Sequence, residues 1–277
     1  MRESPMNDRV RITLSDNGVA EVALVRGDKM NALDAAMFQS LQAAILQLEA
    51  TPGLRAVVLC GEGKAFCAGL DMGRFAGMAQ ASEGTAGAEG RLLPRNHGLS
   101  NGPQFVAMGW RSLPVPVIAA VHGVAFGGGL QLALGADVRL LAPGTRMSVM
   151  ELKWGLVPDM GGMALMRGLV RDDHARELVY TARIVEAEEA VALGLATRIC
   201  DEPLRAAREL ADTIALRSPK AIRAAKRLMN QSSQSLDDSA AALLMAESVE
   251  QSQLIGSPEQ AEAVRANLER RAPVFAA

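Results

Sequence analysis

The stretch Val115–Gln131, VPVIAAVHGVAFGGGLQ, carries the strongest indication of the fold. Its first part, Val115–Val121, is an apolar run of strand length, which is typical of a buried strand. A glycine-rich turn follows, and Gly127–Gly129 lie at the predicted start of a short helix over 127–135. The N-terminus of a helix carries free N–H donors and partial positive charge. This stretch therefore predicts a buried strand that leads into an anion-binding turn.

A second stretch, Gly61–Asp71, repeats this arrangement directly after the apolar strand Ala56–Cys60. N–H groups from the two loops would form an oxyanion hole if they converged on one oxygen. Taken alone, each loop is more typical of close backbone packing. Neither loop has the GxxxxGK[ST] or GxGxxG pattern, which disfavours a nucleotide phosphate site.

The flanking sequence indicates an α/β core. Strands are predicted at Val10–Leu14 and Val19–Val25, joined by the hairpin turn signal Asn17-Gly18. Asp34 is placed to cap an amphipathic helix over 35–50. Two further strands are predicted, at Val138–Ala142 and Met147–Met150. Such alternation of strands and helices is typical of the α/β class.

Residues 74–102 are small and lack a clear pattern, so we expect a mobile surface segment with a short helix near 76–81. The wider segment 74–110 is expected to form a lid or pocket wall. After residue 200 only helices are predicted, beginning with Pro203–Arg217. Ser218-Pro219 and Ser257-Pro258 are helix starts, and Gln260 completes a capping box with Ser257. This helical tail is expected to pack either on its own core or on a neighbouring subunit.

Composition excludes several classes of protein. The 277-residue chain has a net charge of −2, which disfavours nucleic acid as a partner. It has no apolar run of the roughly 18 residues that a membrane helix needs, and no signal-peptide core at its N-terminus. Three histidines and three cysteines without CxxC spacing disfavour a metal site. The cysteines are expected to be reduced thiols of a cytoplasmic protein; they are Cys60, Cys67 and Cys200.

Taken together and in order, these motifs resemble the crotonase (enoyl-CoA hydratase/isomerase) superfamily. The matching stretches are Arg26–Leu33, Gly61–Asp71, Ala119–Gly129 with Ala136-Asp137, Glu151–Gly162, Ala187–Ala190, Leu193–Leu195 and Ser218-Pro219. The resemblance implies a spiral of ββα units over 1–200 and a C-terminal helical trimerisation region over 201–277. It also implies a homotrimer or a hexamer built as a dimer of trimers. The substrate would be an acyl-CoA thioester, so coenzyme A would enter with the substrate and no cofactor would be bound permanently.

The resemblance also implies the site. The backbone N–H groups of Leu70 and Gly128 would hold the thioester carbonyl, and Ala68, Gly69 and Asp71 would line the coenzyme A site. Lys29 would meet a phosphate, although a solvated surface lysine is equally consistent with the sequence. Removing a proton α to a thioester places negative charge on its carbonyl oxygen. Aimed donors stabilise that charge more than they stabilise the neutral ground state.

The carboxylates decide the reaction. Hydratases of the superfamily resemble one another in using two glutamates, which fall here on Gln131 and Glu151. Glutamine cannot exchange a proton near neutral pH, although it can hold a water. Isomerisation needs only one carboxylate to take a proton from one carbon and return it to another. Asp159 lies eight residues after Glu151, a spacing similar to that in dienoyl-CoA isomerases and ring-epoxide isomerases of the superfamily.

Two of these acids have structural alternatives. Asp159 could instead cap a helix starting near Met160, and Glu151 could be an ion-paired surface residue. The leading hypothesis is an enoyl- or dienoyl-CoA isomerase that uses Glu151 and Asp159. A hydratase in which Gln131 orients water and a non-catalytic acyl-CoA-binding protein are the alternatives. His122 and Cys67 are expected to be structural.

Overall fold

A computed structural model describes residues 2–6, 9–73, 92–233 and 237–274. The strands in these ranges are β1 (Arg2–Met6), β2 (Val10–Leu14), β3 (Val19–Leu24), β4 (Ala56–Gly61), β5 (Val117–Val121), β6 (Val124–Phe126), β7 (Val138–Leu141), β8 (Arg146–Ser148), β9 (Val185–Glu186) and β10 (Arg198–Ile199). The helices are α1 (Ala35–Glu49), α2 (Gly102–Ser112), α3 (Gly128–Leu134), α4 (Gly162–Met166), α5 (Asp172–Thr181), α6 (Ala187–Ala192), α7 (Pro203–Ala215), α8 (Pro219–Ser233), α9 (Asp237–Leu254) and α10 (Pro258–Glu269). Two 3-10 helices span Gly27–Lys29 and Glu151–Trp154. The predicted α/β class is confirmed.

The strands form two sheets. A seven-stranded sheet has the order β1-β2-β3-β4-β5-β7-β10, and a three-stranded sheet has the order β6-β8-β9. The predicted hairpin is confirmed, since β2 and β3 pair antiparallel, whereas β3, β4, β5, β7 and β10 run parallel. The chain leaves the large sheet for the small one at Gly123, between β5 and β6. Gly123 has a φ of 64°, and a Cβ there would lie 2.1 Å from the carbonyl oxygen of Lys64, so only glycine fits.

Helices cover both faces of the large sheet. On one face α1 buries an apolar stripe, and its N-cap Asp34 accepts a hydrogen bond from the Met37 N–H at 2.7 Å, as the sequence predicts. On the other face α7 packs Ala207, Ala211 and Ala215 against the apolar side chains of β4 and β5. Small side chains on α7 let the helix approach the sheet closely. The sheet therefore provides a rigid base from which β4 and β5 deliver the glycine loops.

Some predicted boundaries differ from the structure. The strand expected at Val115 begins at Val117, because Pro116 has no N–H to donate to a ladder. The prediction of a surface segment up to residue 102 extends too far, since Asn101 caps α2. Asn101 and Gln104 form a full capping box, which is a signal that the turn-like Gly102-Pro103 pair obscured. The helix expected near 76–81 lies outside the described residues.

The C-terminal helices pack on the core of their own chain. The ammonium group of Lys226 in α8 is buried and donates to the carbonyl oxygens of Trp110 and Val115 and, at 2.8 Å, to the carboxylate of Asp137. Ser257 caps α10, as predicted, by accepting from the Gln260 N–H at 3.1 Å. In the described part of the chain, no helix is long and apolar enough to cross a bilayer. The first alternative expected for the tail, packing on its own core, is therefore observed for α8.

Candidate active site

A cavity of about 940 Å³ lies between the two glycine loops, α1, the 3-10 helix Glu151–Trp154 and α9. It brings together almost all of the residues that the sequence predicts for a site, namely Lys29, Ala68, Gly69, Leu70, Asp71, Gly128, Glu151 and Asp159. Its apolar wall includes Phe38, Leu92, Trp154, Leu156, Met160 and Ile255. Gln131 is buried behind this wall with 2% of its surface exposed. Such a cavity, apolar with a few converging polar groups, is typical of a ligand site.

The direction of the Leu70 N–H follows from the hydrogen bonds of its neighbours. Leu33 donates to the carbonyl of Gly69 at 2.8 Å and accepts from the Asp71 N–H at 3.2 Å. In a trans peptide unit the C=O and N–H groups point in opposite directions. Because the Gly69 carbonyl points at Leu33, the Leu70 N–H points away from it, and within the described part of the chain it donates to no other backbone group.

The second loop meets the first at Gly69. A Cβ on Gly69 would lie 2.5 Å from the carbonyl oxygen of Phe126 and 3.6 Å from the backbone nitrogen of Gly128, and the φ of Gly69 is 88°. Gly128 is the first residue of α3, so its N–H has no acceptor within that helix. The loops therefore bring the N–H groups of Leu70 and Gly128 to one side of the cavity, and neither has a backbone acceptor among the described residues. This is the arrangement that an oxyanion hole requires.

Glu151 is the buried acid of the site. Its Oε1 accepts a hydrogen bond from Nε2 of Gln131 at 2.6 Å, and its Oε2 has no partner among the described residues. Gly127 makes room for this carboxylate, because a Cβ there would lie 3.2 Å from Oε1. Burial raises the pKa of Glu151 to about 7, against the opposing effect of the Gln131 hydrogen bond. A carboxyl group with this pKa exchanges protons readily at neutral pH.

Gln131 links Glu151 to the next loop. Its Oε1 accepts from the backbone N–H groups of Met160 and Gly162, both at 2.9 Å. Both lone pairs of the amide oxygen are therefore in use, and Nε2 donates to Glu151. Gln131 therefore holds the Glu151 carboxylate and the following loop in one arrangement.

Asp159 lies on the cavity wall and is half-buried. Its negative charge opposes ionisation of Glu151, which places the two acids within electrostatic reach of each other. The alternative in which Asp159 caps a helix at Met160 is wrong, since α4 begins at Gly162 and Gly161 occupies the cap position. Glycine can take up the left-handed backbone found there, whereas an aspartate cap needs an extended one. Asp159 is thus not the N-cap residue of α4.

Charged groups surround the mouth of the cavity. Lys29 is exposed at the end of the 3-10 helix Gly27–Lys29 and lies on the cavity wall. Arg26 donates to the carboxylate of Asp71 at 2.7 Å and to the carbonyl of Ala32 at 3.0 Å. The hydrogen bond from Arg26 lowers the pKa of Asp71. Asp71 is therefore an anion that anchors the Gly61–Asp71 loop.

Several residues on the cavity wall were not singled out from the sequence. Arg26 lies within the stretch Arg26–Leu33, which resembles the superfamily, and this resemblance is the sequence signal that could have indicated it. Gln251 in α9 and Ile255 directly after it reach the cavity from more than ninety residues along the chain from Asp159, and no local pattern indicates this. Their place depends on how the tail packs.

Two further residues fit the structural roles expected of them. Burial raises the pKa of Cys67 to about 12, so its thiol is protonated at neutral pH and is a poor nucleophile. Nε2 of His122 lies 3.0 Å from the carbonyl oxygen of Gly63, so the ring contacts the Gly61–Asp71 loop. In the described ranges, no three His, Cys, Asp or Glu side chains cluster as metal ligands would.

Comparison with known proteins gives a consistent result. The family model described as enoyl-CoA hydratase/isomerase matches residues 15–277. The Bacillus subtilis protein YngF, named as an enoyl-CoA hydratase/isomerase, is 32% identical over 98% of this chain and 99% of its own length. A Thermus thermophilus protein named as an enoyl-CoA hydratase is 38% identical over 76% of this chain and 80% of its own.

Solved structures agree. A Streptomyces coelicolor protein named as an enoyl-CoA hydratase superposes with a TM-score of 0.73 at 32% identity, covering 99% of this chain and 96% of that one. The predicted crotonase-like fold is thereby confirmed, as is the resemblance of the motifs. The chain belongs to the enoyl-CoA hydratase/isomerase family of the crotonase superfamily and is an acyl-CoA-transforming enzyme of that family.

Proposed function

We propose that the protein is an enoyl- or dienoyl-CoA isomerase that moves a double bond by proton transfer. The observation that carries this proposal is the set of hydrogen bonds made by the Gln131 side chain. Its amide oxygen accepts from Met160 and Gly162, and its Nε2 donates to Glu151. The position that would supply a second glutamate in a hydratase is thus a buried, neutral support for the first. Glu151 is left with one unpartnered oxygen, Oε2, as the base beside the cavity.

The proposed reaction starts from a 3-enoyl-CoA. Oε2 of Glu151 takes a proton from the α carbon, and the electron pair moves to the thioester carbonyl oxygen. The N–H groups of Leu70 and Gly128 hold the oxyanion. The enolate then collapses towards the γ carbon, which receives a proton from Glu151 directly or by way of Asp159. One proton leaves and one returns, so the product is the isomeric 2-enoyl-CoA without any added water.

Binding of the substrate follows from the rest of the cavity. Ala68, Gly69 and Asp71 line the side where the thioester would lie, and Lys29 at the mouth would meet a phosphate of coenzyme A. Coenzyme A arrives as part of the substrate, and the proposed reaction uses no permanently bound cofactor. Leu92, Trp154 and Ile255 belong to the apolar wall that would receive the acyl chain.

Hydration is the second candidate, because the Thermus and Streptomyces relatives are named as hydratases. It would require Gln131 to orient the attacking water. The amide oxygen has no free lone pair for this role, and the side chain lies behind the cavity wall. A non-catalytic binding protein is disfavoured, since a buried carboxylate with a pKa near neutrality beside the cavity is typical of an acid–base catalyst.

We also propose a homotrimer, or a hexamer of two trimers, in the cytoplasm. Exposed apolar side chains on α8, Leu228 and Met229 at 64% and 66%, support burial of this helix between subunits. The separation of the chain into a core over 1–200 and an oligomerisation region over 201–277 is part of this proposal.

Ultraviolet absorbance with 2-enoyl-CoA and 3-enoyl-CoA tests the assignment. Isomerisation creates the conjugated enoyl thioester, so absorbance rises with 3-enoyl-CoA. Hydration destroys it, so absorbance falls with 2-enoyl-CoA. A rise without a fall is expected. A fast fall would instead assign hydration, and no change with either substrate, despite tight binding measured by calorimetry, would favour the binding protein.

A further inference from the structure

Glu247 is a buried acid that the proposed reaction does not use. It lies on α9, and only 5% of its surface is exposed. Its Oε2 accepts from the Gly161 N–H at 3.0 Å and from Nε2 of Gln104 at 3.4 Å. Its Oε1 has no hydrogen-bond partner among the described residues. Burying a carboxyl group in this way is costly, so its position calls for an explanation.

The contacts of Glu247 alternate with those of Gln131. Gln131 accepts hydrogen bonds from the N–H groups of Met160 and Gly162, whereas Glu247 accepts from the N–H of Gly161, which lies between them. Three successive N–H groups, those of Met160, Gly161 and Gly162, are thus held by two side chains from two different helices, α3 and α9. The loop cannot shift towards one helix without breaking its bonds to the other.

Packing restricts the same loop from a third side. Gly161 has a φ of 86°, and a Cβ there would lie 2.8 Å from the sulfur of Met108 in α2. Asp159 lies two residues before Gly161. Gln131, which accepts from the N–H groups of Met160 and Gly162, also donates to Glu151. The loop therefore connects α9 to both acids of the site.

We propose that Glu247 is a positioning residue, which fixes the Asp159–Gly161 loop before α4 so that Asp159 and Glu151 face the same substrate carbons. This inference rests on the proposed function. Glu247 itself does not line the cavity, although Gln251 of the same helix and Ile255 directly after that helix do. Its effect on the reaction therefore passes through the loop.

The charged groups near Glu247 come from two other elements. Asp159 approaches from the loop, and Arg95 approaches from the segment before α2. Arg95 also donates to the Leu244 carbonyl and to the Ser248 hydroxyl, at 3.3 and 3.1 Å. These bonds hold α9 at Leu244 and Ser248, on either side of Glu247 in the sequence, so loss of the Glu247 side chain would release the loop without releasing the helix.

The test compares Glu247→Ala with Glu247→Gln. Alanine removes the acceptor of Gly161, and we expect kcat for 3-enoyl-CoA to fall about 10- to 100-fold, since a small misplacement of reacting groups costs about 100-fold. KM should stay unchanged, because the coenzyme A site lies on the glycine loops. Glutamine keeps an acceptor oxygen of the same reach and should restore kcat to within about threefold of wild type. Glu250→Ala, an exposed glutamate on the same helix, is the matched control and should match wild type.

A second readout separates this inference from the proposed reaction. Exchange of the α proton of a saturated acyl-CoA with deuterated water reports enolisation at Glu151 without any shift of a double bond. If exchange depends on Glu247 while 3-enoyl-CoA is not isomerised, the positioning role stands and the isomerase assignment fails. Unchanged kcat and exchange in Glu247→Ala would overturn the positioning role, as would a loss confined to KM or a Glu247→Gln variant as impaired as alanine. Should Glu247→Ala not fold, Glu247→Asp, which withdraws the carboxylate by one methylene, is expected to give an intermediate kcat, and wild-type kcat would overturn the proposal.

Discussion

Gln131 donates a hydrogen bond of 2.6 Å from Nε2 to Oε1 of Glu151, deep behind the cavity wall. The amide supports the carboxylate without adding a charge. A second carboxylate at this distance would repel the first, and the two would share a proton. The contact thus leaves Glu151 as the ionisable member of the pair, with its pKa set mainly by burial.

Replacing the base should abolish turnover. We expect Glu151→Gln to lower kcat for 3-enoyl-CoA about 100- to 10,000-fold, the usual contribution of a positioned general base. Binding of a saturated acyl-CoA should persist, because the Leu70 and Gly128 N–H groups are untouched. Stopped-flow absorbance and calorimetry measure the two effects. Glu250→Gln is the control, and turnover retained in Glu151→Gln would exclude Glu151 as the base.

The rate should depend on pH through Glu151. Its carboxylate is the active form and its pKa is raised to about 7, so kcat/KM should fall about tenfold per pH unit below that value. Gln131→Glu should move this acid limb to higher pH, because a neighbouring negative charge disfavours ionisation further. Rate profiles of both proteins between pH 5 and 9 check the shift. A limb that moves to lower pH, or not at all, would contradict the assigned contact.

Stability should depend on pH through Glu247. Burial raises its pKa from 4.5 to about 8, so between these values the folded chain keeps a proton that the unfolded chain has released. Unfolding therefore releases a proton, and the free energy of unfolding falls as pH rises, by at most about 1.4 kcal/mol per pH unit. Glu247→Gln should remove this contribution. Urea unfolding at pH 5, 6.5 and 8 compares the two proteins, and equal pH dependence would show that Glu247 titrates normally.

The close approach of the glycine loops should not tolerate a side chain. Gly69→Ala would place a Cβ 2.5 Å from the Phe126 carbonyl, so the loops must separate and the two N–H donors with them. Loss of one aimed donor lowers kcat about 100- to 1000-fold, and a loss of this size is expected. Gly53→Ala is the control for backbone strain alone, since Gly53 has a φ of 76° with no atom within 4 Å of its Cβ position. Equal activity of the two variants would contradict the role of the approach.

The sequence by itself determined the features that depend on neighbouring residues. Apolar runs placed β4 and β5, glycines marked the turns after them, and Asp34 and Ser257 marked helix starts. Such signals are readable because each depends on the backbone preference of a few adjacent residues. The order of the motifs along the chain was sufficient to indicate the superfamily and the positions of Glu151 and Gln131.

Only the tertiary structure decided what those residues do to one another. The pKa of Glu151 depends on how completely the surrounding elements exclude water, and the place of Gln131 depends on N–H groups almost thirty residues further along the chain. Glu247 reaches the same loop from α9, eighty-six residues beyond Gly161. No local pattern carries this information, because burial and hydrogen bonding act through distance in space, which the packing of α3, α9 and the loop between them sets.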